Sequence, residues 1–205
     1  MSVSTAAVSG ESSARPDEYR DRLLEGMAAA LGEKGFAEVT IADIARHARV
    51  SRRTFYEHFD TKQDCLLALY VASSERALAR IADSIDPSLD LDAQIAKTTE
   101  VYFSSLQERP GVLRTLLVEI LAAGPRGLEV RRQINRRYAD LLRKVIASAK
   151  PNERERHTLS SAMAMAVVGG LNELMLQAVE DGGDMTRLRR LARPAAELVR
   201  SVVGR

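Results

Sequence analysis

The sequence predicts an all-α protein, and three observations carry that reading. Stretches that alternate β-branched and aromatic residues with period two are almost absent, while Ala, Leu, Arg and Glu dominate. Apolar residues recur at i, i+3, i+4 and i+7, the spacing of one helix face. Proline and glycine then cut the chain at helix-length intervals.

The first helix is expected from about Pro16 to Lys34. Pro16 suits an opening turn, Asp17 and Glu18 suit the positive helix end, and Gly35 can close it. Leu24, Met27, Ala28 and Leu31 give it one apolar face. A short second helix runs from Ile41 to Ala48, with Thr40 as cap and Asp43 in capping-box position. A third begins at Ser51 and carries Phe55 and Phe59 four residues apart. Asp60 is read as the cap of a fourth, with Gln63 completing the box, and that helix continues to about Ser84 before Asp86-Pro87. Beyond it, helices are expected at Asp90–Glu108, Pro110–Ala122, Arg126–Ala149, Asn152–Glu180 and Met185–Val203, the last kinked or split at Pro194.

At 205 residues with 45% hydrophobic and 28% charged residues, the chain can bury one or two cores. A net charge of +2 is too small to argue for any polyanionic partner, so such a claim must rest on where the cations sit. The single cysteine, Cys65, excludes an internal disulfide and is read as a buried small side chain in a reducing compartment. Residues 1–15 form an expected disordered leader whose Met1–Ala14 stretch lacks the basic start and apolar core of a signal peptide. No stretch is read as reaching the roughly 20 apolar residues of a membrane span, so no membrane partner and a cytoplasmic location are expected.

The informative stretch is Thr40 to Lys62. Two short capped helices joined by His47-Ala48-Arg49-Val50 make a helix-turn-helix, whose second helix enters the DNA major groove. At about 100° per residue, Phe55 and Phe59 point together toward a core, and Arg53 and Tyr56 point away with Arg52 at the edge. Arginine pairs bidentately with guanine, and Tyr, Ser and Thr hydroxyls reach phosphates. Arg46, Arg49, Arg52 and Arg53 form a strip with no acid among them, as phosphate neutralisation requires. Lys62 in a first helical turn opposes the helix dipole, an arrangement that a phosphate at that helix start would reverse.

The run from Thr40 to Lys62 resembles the DNA-binding signature of the TetR family, which ends in a Tyr-x-His-Phe segment, an acidic or polar residue, one more residue and Lys. Here those are Tyr56, Glu57, His58, Phe59, Asp60, Thr61 and Lys62. The resemblance covers roughly residues 16–76. It implies phosphate contacts from Thr40, Tyr56, His58 and Lys62, and a base-facing surface from Ser51 to Tyr56 that includes Arg52, Arg53 and Thr54. Two residues depart from the pattern: Arg49 and Arg53 stand where the family often has Gly. Arg49 should strain the turn slightly, and Arg53 should alter which operator is read.

The resemblance also implies a body, residues 77–205, that binds a ligand and dimerises. Ala162, Ala166 and Gly170 are small residues four apart, which suits close helix approach between subunits but equally an internal core helix; the family's use of its last two helices in a four-helix dimer interface favours the former. The middle helices should enclose a pocket. Tyr102, Phe103, Leu106, Leu117, Met163, Val167 and Met175 are its candidate walls, and Arg114, Glu119 and Asn172 its candidate polar anchors. With four Phe, five Tyr and no Trp, an aromatic cage for flat cations is not favoured.

The expected protein is therefore an N-terminal helix-turn-helix module on a C-terminal helical bundle. It is a homodimeric repressor on a palindromic operator in double-stranded DNA, released by an unknown small molecule. No metal, cofactor or catalytic residue is expected. His47, His58 and His157 are too far apart for a metal motif, and GxSxG and P-loop patterns are absent. Two other classes remain: an enzyme with a DNA-binding arm, which turnover of a ligand would reveal, and a helical protein-interaction module without DNA affinity.

Overall fold

Thr40 starts the first well-defined corner of the fold. It accepts from the Asp43 amide at 3.2 Å while the Asp43 carboxylate accepts from the Thr40 amide at 2.9 Å, the reciprocal capping box the sequence predicts. The structure is a computed structural model that describes residues 16–107, 113, 115–150, 158–180 and 189–203. All described regular structure is helical. In order, the helices are α1 (Pro16–Glu33), α2 (Ile41–Ala48), α3 (Arg52–His58), α4 (Lys62–Asp83) and α5 (Leu91–Gln107). A π-helical turn (Thr115–Glu119) then runs into α6 (Ile120–Ala122), followed by α7 (Gly124–Ser148), α8 (Ser161–Glu180) and α9 (Ala192–Val202). The expected leader lies outside the described residues.

Two expectations are corrected. Gly35 does not close α1 in a left-handed conformation; its carbonyl anchors a turn by accepting from Glu38 at 3.0 Å and Val39 at 3.3 Å. The cap of α4 is Thr61 with Asp64, not Asp60 with Gln63. Thr61 accepts from the Asp64 amide at 3.1 Å, and Asp64 accepts from the Thr61 amide at 3.1 Å. The shift is one residue, because Thr61 satisfies the same pattern and its hydroxyl also donates to Asp64 at 2.6 Å. The split expected near Pro194 is present: residues 189 and 190 are helical, Leu191 makes a turn, and α9 begins at Ala192, which places Pro194 in a first turn where a missing N–H costs nothing.

The helices pack as a small head and a larger body that share α4. In the head, Leu23, Leu24, Met27, Phe36, Val39, Ile44, Phe55, Phe59, Cys65, Leu66 and Leu69 form one buried cluster. Cys65 is fully buried, and desolvation pushes its thiol up to about 12, so it behaves as packing. On another face of α4, Leu67 and Tyr70 pack with Ile120 and Ile134 of the body. The Gly26 position lets α1 and α2 cross, since a Cβ there would sit 2.5 Å from the Ile44 carbonyl and 2.8 Å from the Ala48 nitrogen. Gly124 turns the chain between α6 and α7 at φ +69°, open to glycine without strain.

One helix departs from the expectation about membranes. Ser161–Val179 is long and apolar enough to cross a bilayer by length and composition. Ala164, Val167 and Val168 bury one side of it in the body, while Ala162, Met163, Ala166 and Gly169 are exposed. Its apolar composition is thus divided between a core face and an outer face.

Candidate nucleic-acid interface

The turn between α2 and α3 is the hinge of the site. Arg49 holds a left-handed conformation at φ 55°, the single positive-φ residue other than glycine among the described residues. Its amide donates to Arg46 at 3.1 Å and the Val50 amide to Ala45 at 3.0 Å, the paired bonds of a Schellman stop. A non-glycine residue there costs on the order of 1 kcal/mol, the strain the sequence predicts. Arg22 of α1 offsets it. Its guanidinium donates to the Ala48 carbonyl at 3.0 and 2.8 Å and to the Arg49 carbonyl at 2.7 Å, and it lies 5.7 Å from the Tyr19 ring centroid.

Ser51 caps α3 by accepting from the Thr54 amide at 3.0 Å. Phe55 is fully buried and Phe59 nearly so, with ring centroids 5.8 Å apart. That inward pair sets the rotation of the helix, leaving Arg52, Arg53 and Tyr56 outward, Tyr56 at 52% exposure. Arg53 pairs with Glu57 at 3.2 Å on the outer surface, and no described carboxylate pairs with Arg49 or Arg52. Thr54 is half-buried with its hydroxyl 2.9 Å from that of Ser51, so it serves the cap. His58 is half-buried beside Tyr19, ring centroids 6.5 Å apart.

Two features differ from expectation. The arginine strip is free of acids in sequence but not in space. Glu33 reaches across from α1 to Arg46 at 3.3 Å and to His47 at 3.2 Å, so the unpaired charge narrows to Arg49 and Arg52. The hydrogen bond from His47 contributes most to holding Glu33 below the ordinary carboxylate range, and Arg46 adds to it. Lys62 is the second. Its ammonium donates to the carbonyls of Phe36 at 2.9 Å, Ala37 at 3.1 Å and Val39 at 2.8 Å, and stands 4.7 Å from the Phe36 ring centroid. All three donors are engaged, so this side chain clasps the α1–α2 loop where a phosphate contact was expected. The dipole cost that singled it out is met by carbonyls, a partner set visible only in three dimensions.

Residues the sequence reading missed lie on α1. Arg22 and Tyr19 support the turn, and Arg20 stands 5.6 Å from the Phe59 ring centroid. No local pattern marks Arg22, whose partners are 26 and 27 residues away.

A cavity of about 80 Å³ opens in the body among α4, α5, α7, α8 and α9. Tyr102, Phe103 and Asn172 line it, as expected. The other described candidates do not. Leu117 and Met175 are buried in a neighbouring cluster with Leu106 packed against it, Val167 belongs to the α8 core, and Met163 is 42% exposed on the outer face. Glu119 lies beside Gly35 at the base of the head, and Arg114 lies outside the described residues. Thr98, Thr99, Tyr138 and Leu142 replace them. Helical spacing identifies apolar faces, but not which face meets which helix.

The family model for bacterial regulatory proteins of the tetR family matches residues 23–69. The chain is 30% identical to the HTH-type transcriptional regulator EthR of Mycolicibacterium smegmatis, over 72% of this chain and 67% of that protein. It is 26% identical to the HTH-type transcriptional regulator UidR of Escherichia coli, over 58% of each. Among solved structures, FadR of Bacillus subtilis in complex with stearoyl-CoA superposes with a TM-score of 0.73 at 17% identity, over 90% of this chain and 99% of that one. A TetR transcription regulator from Haloarcula marismortui gives 0.72 at 22% identity, over 92% and 100%.

Proposed function

The chain belongs to the tetR family of bacterial regulatory proteins and is a DNA-binding transcriptional regulator; from that premise we propose that it is a homodimeric repressor released from a palindromic operator by a small molecule. The observation that carries the reading is the split of α3, with Phe55 and Phe59 inward and Arg52, Arg53 and Tyr56 outward, on a turn pinned by Arg22. Residues 16–76 form the DNA-binding module and residues 77–205 the effector and dimer body. Arg52, Arg53 and Tyr56 face base edges, and Thr40, Arg49, Ser51 and His58 lie toward the backbone.

The outer face of α8 supports the dimer. Ala162, Ala166 and Gly169, small residues around the larger Met163, make an exposed apolar surface that a second copy would cover. Two-fold symmetry then presents one α3 to each half-site, which requires a palindromic operator. The body cavity supports an effector, as does a fold neighbour solved with stearoyl-CoA. Such a molecule must bind the DNA-free conformation better, since equal affinity for both shifts nothing.

Selection of bound sequences from a random duplex pool tests this directly. The expected outcome is a two-fold-symmetric site whose affinity falls steeply with salt. Failure to enrich any sequence would overturn it in favour of a protein-interaction module.

A further inference from the structure

The body cavity has walls whose chemistry restricts what it can hold, and this inference rests on the effector reading above. Among the described residues, no ionisable acid or base other than tyrosine lines it. Its two phenols, Tyr102 and Tyr138, meet edge to face with ring centroids 5.7 Å apart, and burial pushes both well above their ordinary range. They are neutral hydrogen-bond donors at any working pH. A carboxylate or ammonium placed here would lose its hydration without gaining a counter-charge, a penalty that ordinary binding does not offset.

The polar groups that do face the cavity are under-used. The Tyr102 hydroxyl rests on the Met175 sulfur at 3.5 Å, a weak acceptor. The Tyr138 hydroxyl reaches the Ser74 carbonyl only at 3.4 Å. The Asn172 amide donates to the Asn135 side chain at 3.3 Å, leaving its second N–H uncommitted. Thr98 is different, for its hydroxyl already donates to the Gln94 carbonyl at 2.8 Å. Two donors from separate helices, Tyr102 on α5 and Asn172 on α8, can therefore turn to a better acceptor. The cavity, about 80 Å³ and partly open to solvent, seats the polar end of a short molecule and the carbons next to it.

We propose that this cavity is a binding site for a short, uncharged molecule with one oxygen acceptor, of the class of small ketones, esters and lactones. The oxygen accepts from Tyr102 and Asn172, and the hydrocarbon part lies against Phe103, Leu142 and Val168.

Four probes of matched size separate the alternatives when titrated into the full chain by NMR: 2-pentanone, n-pentane, butyrate and butylammonium. The expected order is 2-pentanone first, n-pentane about tenfold weaker for want of the oxygen, and the two ions without saturable binding. Tyr102→Phe and Asn172→Leu, assayed separately, should each bring 2-pentanone close to n-pentane while n-pentane itself is unchanged. Tighter binding of either ion, equal binding of ketone and alkane to the wild type, or no binding of any probe would overturn the proposal. Operator release is read in a separate assay. Ketone binding without release would refute the effector reading and leave the ligand class standing.

Discussion

The guanidinium of Arg22 and the carbonyl of Arg49 are 2.7 Å apart, and that bond links α1 to the strained corner of the helix-turn-helix. Arg22→Ala is expected to cost about 1–2 kcal/mol, the worth of charge-assisted bonds at a partly exposed site, and to weaken operator binding as the corner loosens. Arg49→Gly should return about 1 kcal/mol by removing the left-handed penalty. Urea denaturation of both single variants and the double variant checks the two figures.

Gly26→Ala places a Cβ 2.5 Å from the Ile44 carbonyl and 2.9 Å from the Ala48 Cβ, with rigid backbone on one side. α1 and α2 must separate, at a cost of about 1–3 kcal/mol. A Tm unchanged within error would show that the crossing is looser than described.

Arg52 carries a charge with no described carboxylate partner, so its removal should leave stability alone. Arg52→Ala is expected to retain the wild-type Tm while losing about tenfold or more in operator affinity. Arg53→Gly should change which bases are preferred in duplex selection, because it opens the helix surface and frees Glu57. An unchanged preferred site would refute the role given to Arg53.

Asp64 sits between the Thr61 cap and Arg126 of α7, which is 2.8 Å away, and its carboxyl is held below the ordinary range chiefly by the Thr61 bond. A depressed folded-state pKa stabilises the fold above the ordinary carboxylate value and is lost as pH falls through the lowered one. Asp64→Asn should therefore lower Tm at pH 7, and the gap to wild type should close as pH falls below about 4. A gap independent of pH would exclude the charge as its cause.

Ala166→Glu puts a carboxylate on the exposed face of α8. Sedimentation should show monomers, and half-site cooperativity on the operator should disappear. A stable dimer would move the subunit interface elsewhere.

Local signals in the sequence were reliable where both partners are close in the chain. Thr40 with Asp43, Ser51 as cap and the Phe55–Phe59 pair need only neighbours three or four residues away. The same locality explains the misplaced cap of α4, where two adjacent pairs fit one pattern and only geometry chooses Thr61. Lys62 and Arg22 were beyond reach because their acceptors are 23 to 27 residues distant and are backbone carbonyls, which leave no mark on residue type. For the cavity, α5 and Asn172 were legible, but Tyr138 sits on the long, charged α7, whose polar composition hides its inner stripe.

The clasp of Lys62 on the α1–α2 loop leaves the start of α4 and the rest of the head without a joint between them. Movement of α4 therefore carries the reading surface as one lever. Its 22 residues make an arm of about 33 Å, so a tilt of about 5° at the body end displaces the far end by roughly 3 Å. That is close to the ~3.4 Å rise of one base pair. Two such levers, related by the two-fold axis of the proposed dimer, would slip out of step with the duplex after an angular change too small to disturb either core.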